Sequence, residues 1–298
     1  MIRAWAALGL VLCAGMLSAA DTSWTEDFTA ALQRAEKEKK DILLDFTGSD
    51  WCHWCVKLHE EVFNQDAFKK EAPEKFVLVL LDFPRQKEQN DAVKQQNKML
   101  AETFQIQGFP TVIVLDSKGR PYARTGYQAG GAEPYLKHLG ELRAKREDRD
   151  KLLALAEASK GAEKAKLLDQ ALTTVSDQIG SLAGYEELVD QVIAADADNA
   201  GGFKTKYGGI KALKEIETER AKGGDSAATL AKLEKFIAEQ KPAGEVLQRA
   251  LFEKAMLIHA AKNKEMIAIL QEALKAAPES QKAQELQGIL QQLGGGGE

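Results

Sequence analysis

Two cysteines three positions apart, Cys52 and Cys55, constrain this chain more than any other feature. They follow Ile42-Leu43-Leu44-Asp45-Phe46, a β-type run that breaks at Thr47-Gly48-Ser49-Asp50-Trp51. Residues at i and i+3 share one face of a helix's first turn, so the two sulfurs can meet there. The free N–H groups and positive dipole end of such a helix favour a thiolate over a thiol. Lowering a cysteine pKa from about 8.5 to about 7 raises its ionised fraction at neutral pH from roughly 3% to roughly 50%. The shift corresponds to about 2 kcal/mol, within reach of a helix terminus and local hydrogen bonds. The pattern predicts a redox dithiol, with Cys52, nearest the exposed helix end, as the nucleophile.

The context of the pair sharpens this expectation. Arg3 precedes an apolar run, Ala4 to Leu17, which ends in Ser18-Ala19-Ala20. That is the charged, apolar and small-x-small order of an export leader over residues 1–20. The run is shorter than the about 20 apolar residues that span a bilayer, so no stable membrane insertion is expected after cleavage. Of the three cysteines, Cys13 would leave with the leader. An exported chain with one close pair and no disulfide framework uses that pair for chemistry or for a local staple. A loop of about four residues gives a staple only roughly 2 kcal/mol in the chain-entropy model, which favours chemistry. The net charge of −5 comes from well-mixed signs, so no nucleic-acid surface is expected.

Ile42 to Phe46, then Trp51-Cys52-x-x-Cys55, then Gly108-Phe109-Pro110-Thr111, together resemble the thioredoxin family over about residues 24 to 142. The resemblance implies an α/β thioredoxin fold, a mixed sheet flanked by helices, and thiol–disulfide oxidoreductase activity. It places the family's functional cysteines on Cys52 and Cys55, with no cofactor beyond their redox-active disulfide. It also implies that Asp45, a buried acid in that family, moves protons to and from the resolving cysteine. Asp45 lies seven residues before Cys52, one more than usual, and no lysine stands near it on Phe76 to Phe83; an acid capping a turn is the plainer alternative. Pro110 matches a proline after a cis peptide bond, which would free the backbone of Phe109 to pair with an extended substrate segment. Trp51, His53 and Trp54 complete the expected substrate-binding rim with Phe109 and Pro110. Trp51 is expected as a lid over the sulfur. A protonated His53 would stabilise the Cys52 thiolate, or the ring points to solvent.

Other chemistry is poorly served. Cys52, Cys55 and His59 form an incomplete zinc set, because a closed structural site needs a fourth ligand. Val56 stands where c-type haem attachment needs histidine, and phosphate-loop and dinucleotide patterns are absent.

Along the chain, Ser23 and Glu26 have capping-box spacing before a helix carrying Phe28, Ala31, Leu32 and Ala35. The charged run Glu36 to Asp41 reads as a solvated face and turn. The helix opened by Cys52 should turn Leu58, Val62 and Phe63 inward, and Asn64 should cap a short helix containing Phe68. Phe76 to Phe83 reads as a central strand. Met99 and Leu100 are the expected inward contacts of a polar helix. Strands over Thr111 to Leu115 and Tyr122 to Tyr127 flank the turn at Asp116-Ser117-Lys118-Gly119, and a helix over Glu133 to Arg146 closes the unit.

From residue 147 the texture changes to helical stripes, such as Leu152, Leu155 and Ala156, broken by Gly and Pro. An all-α helical-hairpin domain over 147–298 is expected after a thioredoxin-like domain over 21–146. Ile193 to Ala200 and Ala273 to Ser280 resemble the close of a degenerate tetratricopeptide-type repeat, although their spacing is no multiple of about 34.

The combined expectation is an exported, periplasmic or cell-envelope oxidoreductase acting on protein disulfide or dithiol substrates. An upstream electron donor or acceptor protein serves it, and the helical half docks partners. The rival is a helical scaffold protein whose thioredoxin-like domain is mainly a binding platform.

Overall fold

A computed structural model describes residues 24–179, 182–258 and 263–294, and the chain divides into two compact units, Met1–Arg143 and Ala144–Glu298. The expected leader and Ser23 lie outside the described residues.

In the first unit four strands, β1 (Asp41–Thr47), β2 (Phe76–Asp82), β3 (Thr111–Leu115) and β4 (Pro121–Thr125), form one sheet in the order β2-β1-β3-β4. β1 runs parallel to β2 and antiparallel to β3, and β3 is antiparallel to β4. Every residue of β1 is buried, which is why the apolar runs of β1 and β2 are continuous rather than alternating. The pleat sends Leu43 to one face and Ile42, Leu44 and Phe46 to the other. Leu43 joins Leu58, Phe63, Phe68, Leu78, Val114 and Tyr135. The other face packs Val79, Leu81, Leu100 and Phe104.

Around the sheet lie α1 (Phe28–Glu38), α2 (His53–Leu58), α3 (Asp66–Lys75), α4 (Asp91–Thr103) and α5 (Ala132–Ala158). α2 runs directly into a π-helical turn, His59–Phe63, closed by the Asn64 N–H donating to the His59 carbonyl at 2.8 Å. That turn buries Val62 and Phe63 together.

Several sequence expectations shift here. The N-cap of α1 is Asp27, whose carboxylate accepts from the Ala30 N–H at 2.9 Å. The preceding backbone is engaged elsewhere: the Thr25 N–H donates to the Leu78 carbonyl, and the Leu80 N–H donates to the Thr25 carbonyl. Asp41 is buried, not solvated, because the Tyr122 hydroxyl and Arg143 Nε both donate to it at 2.8 Å. Asn64 closes the π-helical turn instead of capping α3, which begins after Gln65 without a side-chain cap. In α4, Leu100 is buried but Met99 is 59% exposed, and the inward neighbour is Asn97, whose amide donates to the Asp82 carbonyl at 2.9 Å. The helix expected to stop at Arg146 continues to Ala158, with no glycine or proline to end it.

The second unit holds the later turns of α5 and the helices α6 (Gly161–Ile179), α7 (Glu186–Ala195), α8 (Phe203–Ala221), α9 (Ser226–Gln240), α10 (Gly244–Ile258), α11 (Asn263–Ala276) and α12 (Gln281–Gly294). Its described residues contain no strand. Three apolar clusters follow chain order. Leu168, Leu172, Val189 and Tyr207 join α6 to α8; Leu213, Phe236 and Ala250 join α8 to α10; Leu251, Leu270 and Leu286 join α10 to α12. Leu155 of the expected stripe is exposed, whereas Ala156 is buried.

Candidate active site

β1 ends at Thr47, and the tight turn that follows delivers Cys52 to the N-cap of α2. Cys52 and Cys55 form a disulfide, with Cα atoms 5.2 Å apart. Cys55 is fully buried, whereas Cys52 keeps 7% of its surface. The Cys55 N–H donates to Cys52 Sγ at 3.2 Å, and the Gly48 N–H donates to Cys55 Sγ at 3.5 Å. Both sulfurs therefore have backbone donors, an arrangement that favours a thiolate when the pair is reduced.

The turn is held by two acids outside the expected site. Asp50 accepts from the successive N–H groups of Arg85, Gln86 and Lys87 at 2.7 to 3.2 Å. These donors, that of Arg85 foremost, hold its carboxyl below the usual range. Asp82, at the end of β2, accepts from the N–H and hydroxyl of Ser49 at 2.9 and 2.6 Å.

Trp51, expected as a lid over the sulfur, packs over Gly48. A methyl group at Gly48 would sit 2.5 Å from Trp51 Cε2. The indole Nε1–H donates to the Phe83 carbonyl at 2.8 Å, the Arg85 guanidinium stacks 3.9 Å above the ring, and Phe109 meets it edge-on at 5.7 Å. This contact brings the Phe109–Pro110 segment, whose peptide bond is cis, to the cysteine turn. Trp54 is 51% exposed and forms a second aromatic group, with His53 at 5.5 Å and Tyr127 at 5.1 Å. The Tyr127 hydroxyl donates to Glu61 at 2.6 Å, and Lys57 lies over both the Trp54 and Tyr127 rings.

Asp45 is fully buried in β1, and its Oδ2 lies 2.7 Å from His59 Nε2. Burial pushes its carboxyl pKa up, the bond and charge of His59 pull it down, and the charge of Asp82 raises it further. Its Oδ1 has no hydrogen-bond partner among the described residues. Tyr135, from α5, is buried too; desolvation foremost, and then the charge of Asp45, push its phenol up.

The structure thus groups the expected residues in three sets: Cys52 with Cys55, Trp51 with Phe109 and Pro110, and His53 with Trp54. Asp45 pairs with His59, which the sequence offered as a fourth-ligand-lacking zinc set. Among the described residues no cluster of three His, Cys, Asp or Glu is placed to hold a metal ion. The only sequence signal for the Asp45 partner was the i+4 spacing of His59 from Cys55. Asp50, Asp82, Arg85 and Tyr127 gave none, because their partners come from distant segments.

A family model described as a thioredoxin-like domain matches residues 28–141. The disulfide bond reductase DsbH of Chlamydia pneumoniae is 34% identical over 120 residues, 40% of this chain and 72% of that protein. The thioredoxin-related protein DsbJ of the same organism is 33% identical over 103 residues, 35% of this chain and 30% of that protein. A solved structure of a DsbH oxidoreductase, 29% identical, aligns with a TM-score of 0.40 and covers 46% of this chain and 94% of its own. With the cysteine pair at the start of α2 and the matching segment around it, the chain belongs to the thioredoxin-like family of thiol–disulfide oxidoreductases.

Proposed function

We propose that the protein is exported and reduces or exchanges disulfides in protein partners at the cell envelope, with electrons supplied by an upstream donor protein. The observation that carries this reading is the asymmetry of the pair: one cysteine at the helix N-cap with residual exposure, the other fully buried. In the reduced protein the Cys52 thiolate attacks a partner disulfide, forming a mixed disulfide and releasing one partner thiolate. Cys55 then loses its proton and attacks Cys52 Sγ. The partner leaves as a dithiol, and two electrons have passed from Cys52 and Cys55 to it. Asp45 is the acid that takes the Cys55 proton, and Trp51, His53, Trp54, Phe109 and Pro110 receive the partner's chain.

The reducing direction is favoured by the name of the relative that this chain covers over 72% of its length, a disulfide bond reductase. Export rests on the leader-type residues at the start of the sequence, and no described helix is long and apolar enough to cross a membrane. The helical unit supplies partner docking in this reading. Reduction of insulin disulfides by the reduced protein beside Cys52→Ser tests it: the substitution should abolish turnover. Equal rates for the two proteins would overturn the enzymatic reading.

A further inference from the structure

The Asp45–His59 pair has a feature that a buried acid alone lacks. Asp45 is sealed in the sheet, yet its partner ring keeps 25% of its side-chain surface in solvent. His59 lies four residues after Cys55 and donates its backbone N–H to the Cys55 carbonyl, so the two side chains neighbour each other on one helical face. The imidazole packs against two aromatic rings, Trp24 tilted at 6.0 Å and Phe63 edge-on at 5.1 Å.

We propose that His59 is the positioning residue through which Asp45 exchanges its proton with solvent during the attack of Cys55 on the mixed disulfide. The inference rests on the proposed exchange chemistry and deepens it. Ionised Asp45 accepts at Oδ2 from the Nε2–H of His59, whose ring carries a proton on both nitrogens before the step. Oδ1, without a partner among the described residues, is the oxygen left for the incoming proton. In the step, the Cys55 S–H bond breaks and its proton passes to Asp45. The Cys55–Cys52 bond forms, the Cys52–partner bond breaks, and the electron pair leaves on the partner's sulfur, which takes a proton from water. As Oδ1 takes the proton, the ring keeps Nε2–H on Oδ2 and releases its Nδ1 proton to water at the exposed edge, so the pair passes from carboxylate and imidazolium to carboxyl and imidazole.

Other ionisable groups facing the pair do not offer this route. Asp82, on the neighbouring strand, acts on Asp45 only through its charge. Tyr135, on α5, is buried and held neutral by desolvation. On the π-helical turn itself, Glu61 is engaged with Tyr127 and Lys57, and Glu60 is exposed to solvent.

The test uses the full chain and a model peptide with an intramolecular disulfide, followed by stopped-flow tryptophan fluorescence. The first step is isolated in a Cys55→Ser background. His59→Gln should slow the second step roughly a hundredfold, the low end for positioned proton transfer, and flatten its pH dependence. His59→Lys should restore a pH-dependent step with its midpoint moved upward. Asp45→Asn combined with His59→Gln should be no slower than Asp45→Asn alone. A His59→Gln second step with the wild-type pH profile, or multiplicative losses in the double variant, would overturn the inference. Should His59→Gln not fold, the infrared carbonyl band of protonated Asp45, assigned with Asp45→Asn, decides on the wild type. A band that appears as the mixed disulfide decays supports the route, and its absence overturns it. Failure of the wild type to reduce the peptide would instead remove the proposed function.

Discussion

Gly48→Ala probes the packing that joins the cysteine turn to the rim. The added methyl would stand 2.5 to 2.8 Å from three atoms of the Trp51 indole, well inside contact distance. Trp51 has to move, because Gly48 is backbone held by the Trp51 and Cys52 N–H groups donating to its carbonyl. Moving the indole gives up its bond to the Phe83 carbonyl and its stacking under Arg85. Overpacking costs about 1–3 kcal/mol, a lost hydrogen bond about 1 kcal/mol and an exposed cation–π contact about 0.5 kcal/mol. Partial relaxation of the partly exposed ring brings the expected total to about 2–3 kcal/mol, or a fall of about 4–12 °C in Tm at about 2–4 °C per kcal/mol. The assay is thermal unfolding of the oxidised protein in a double-mutant cycle with Trp51→Ala. Without the indole the three nearest atoms to the methyl are gone, and the cost of Gly48→Ala should fall below about 0.5 kcal/mol, leaving a coupling of roughly 2 kcal/mol. Equal costs in both backgrounds would refute the claim that this ring is what excludes a side chain at position 48.

Two further outcomes follow from the same core. Asp45 has a folded-state pKa above its unfolded value, so its protonated form stabilises the fold, fully below the unfolded pKa near 3.8, and that stability is lost as pH rises through the folded pKa. Asp45→Asn should therefore gain on the wild type in urea unfolding as pH rises from about 4 to about 8, by about 1.4 kcal/mol per unit of elevation, and a constant difference would contradict the sign. Phe63→Ala removes a buried ring that contacts Trp24, Phe68, Tyr135 and His59. It should cost about 3–5 kcal/mol by chemical unfolding, and a loss under about 1 kcal/mol would show that the site collapses around the gap.

What the sequence discloses here is local. The run Ile42 to Phe46, the Trp51-Cys52-x-x-Cys55 spacing and the Gly108-Phe109-Pro110-Thr111 segment each carry their structural meaning within a few residues. They announce the strand, the helix start and the cis turn. Met99 and Leu100 show the limit of periodicity: adjacent positions on a largely polar helix do not say which points inward, and buried Asn97 is invisible to an apolar pattern. Asp41 reads as solvated because its neighbours are charged, while the Tyr122 and Arg143 donors that bury it lie 81 and 102 residues away. His59 is the sharpest case. Its spacing from Cys55 was plain, but the choice between metal and carboxylate depends on where β1 sits beside α2, which only the assembled sheet decides.

The clasp at Asp50 has a consequence for how this region can vary over evolutionary time. The carboxylate grips amide hydrogens, not side chains, of Arg85, Gln86 and Lys87. Position 86 is thus free to drift in identity so long as it does not become proline, which has no amide hydrogen to give, whereas Lys87 also donates from Nζ to Ser49 Oγ at 3.1 Å. Position 50 has no such latitude, since few side chains besides a short acid can gather three such donors at once.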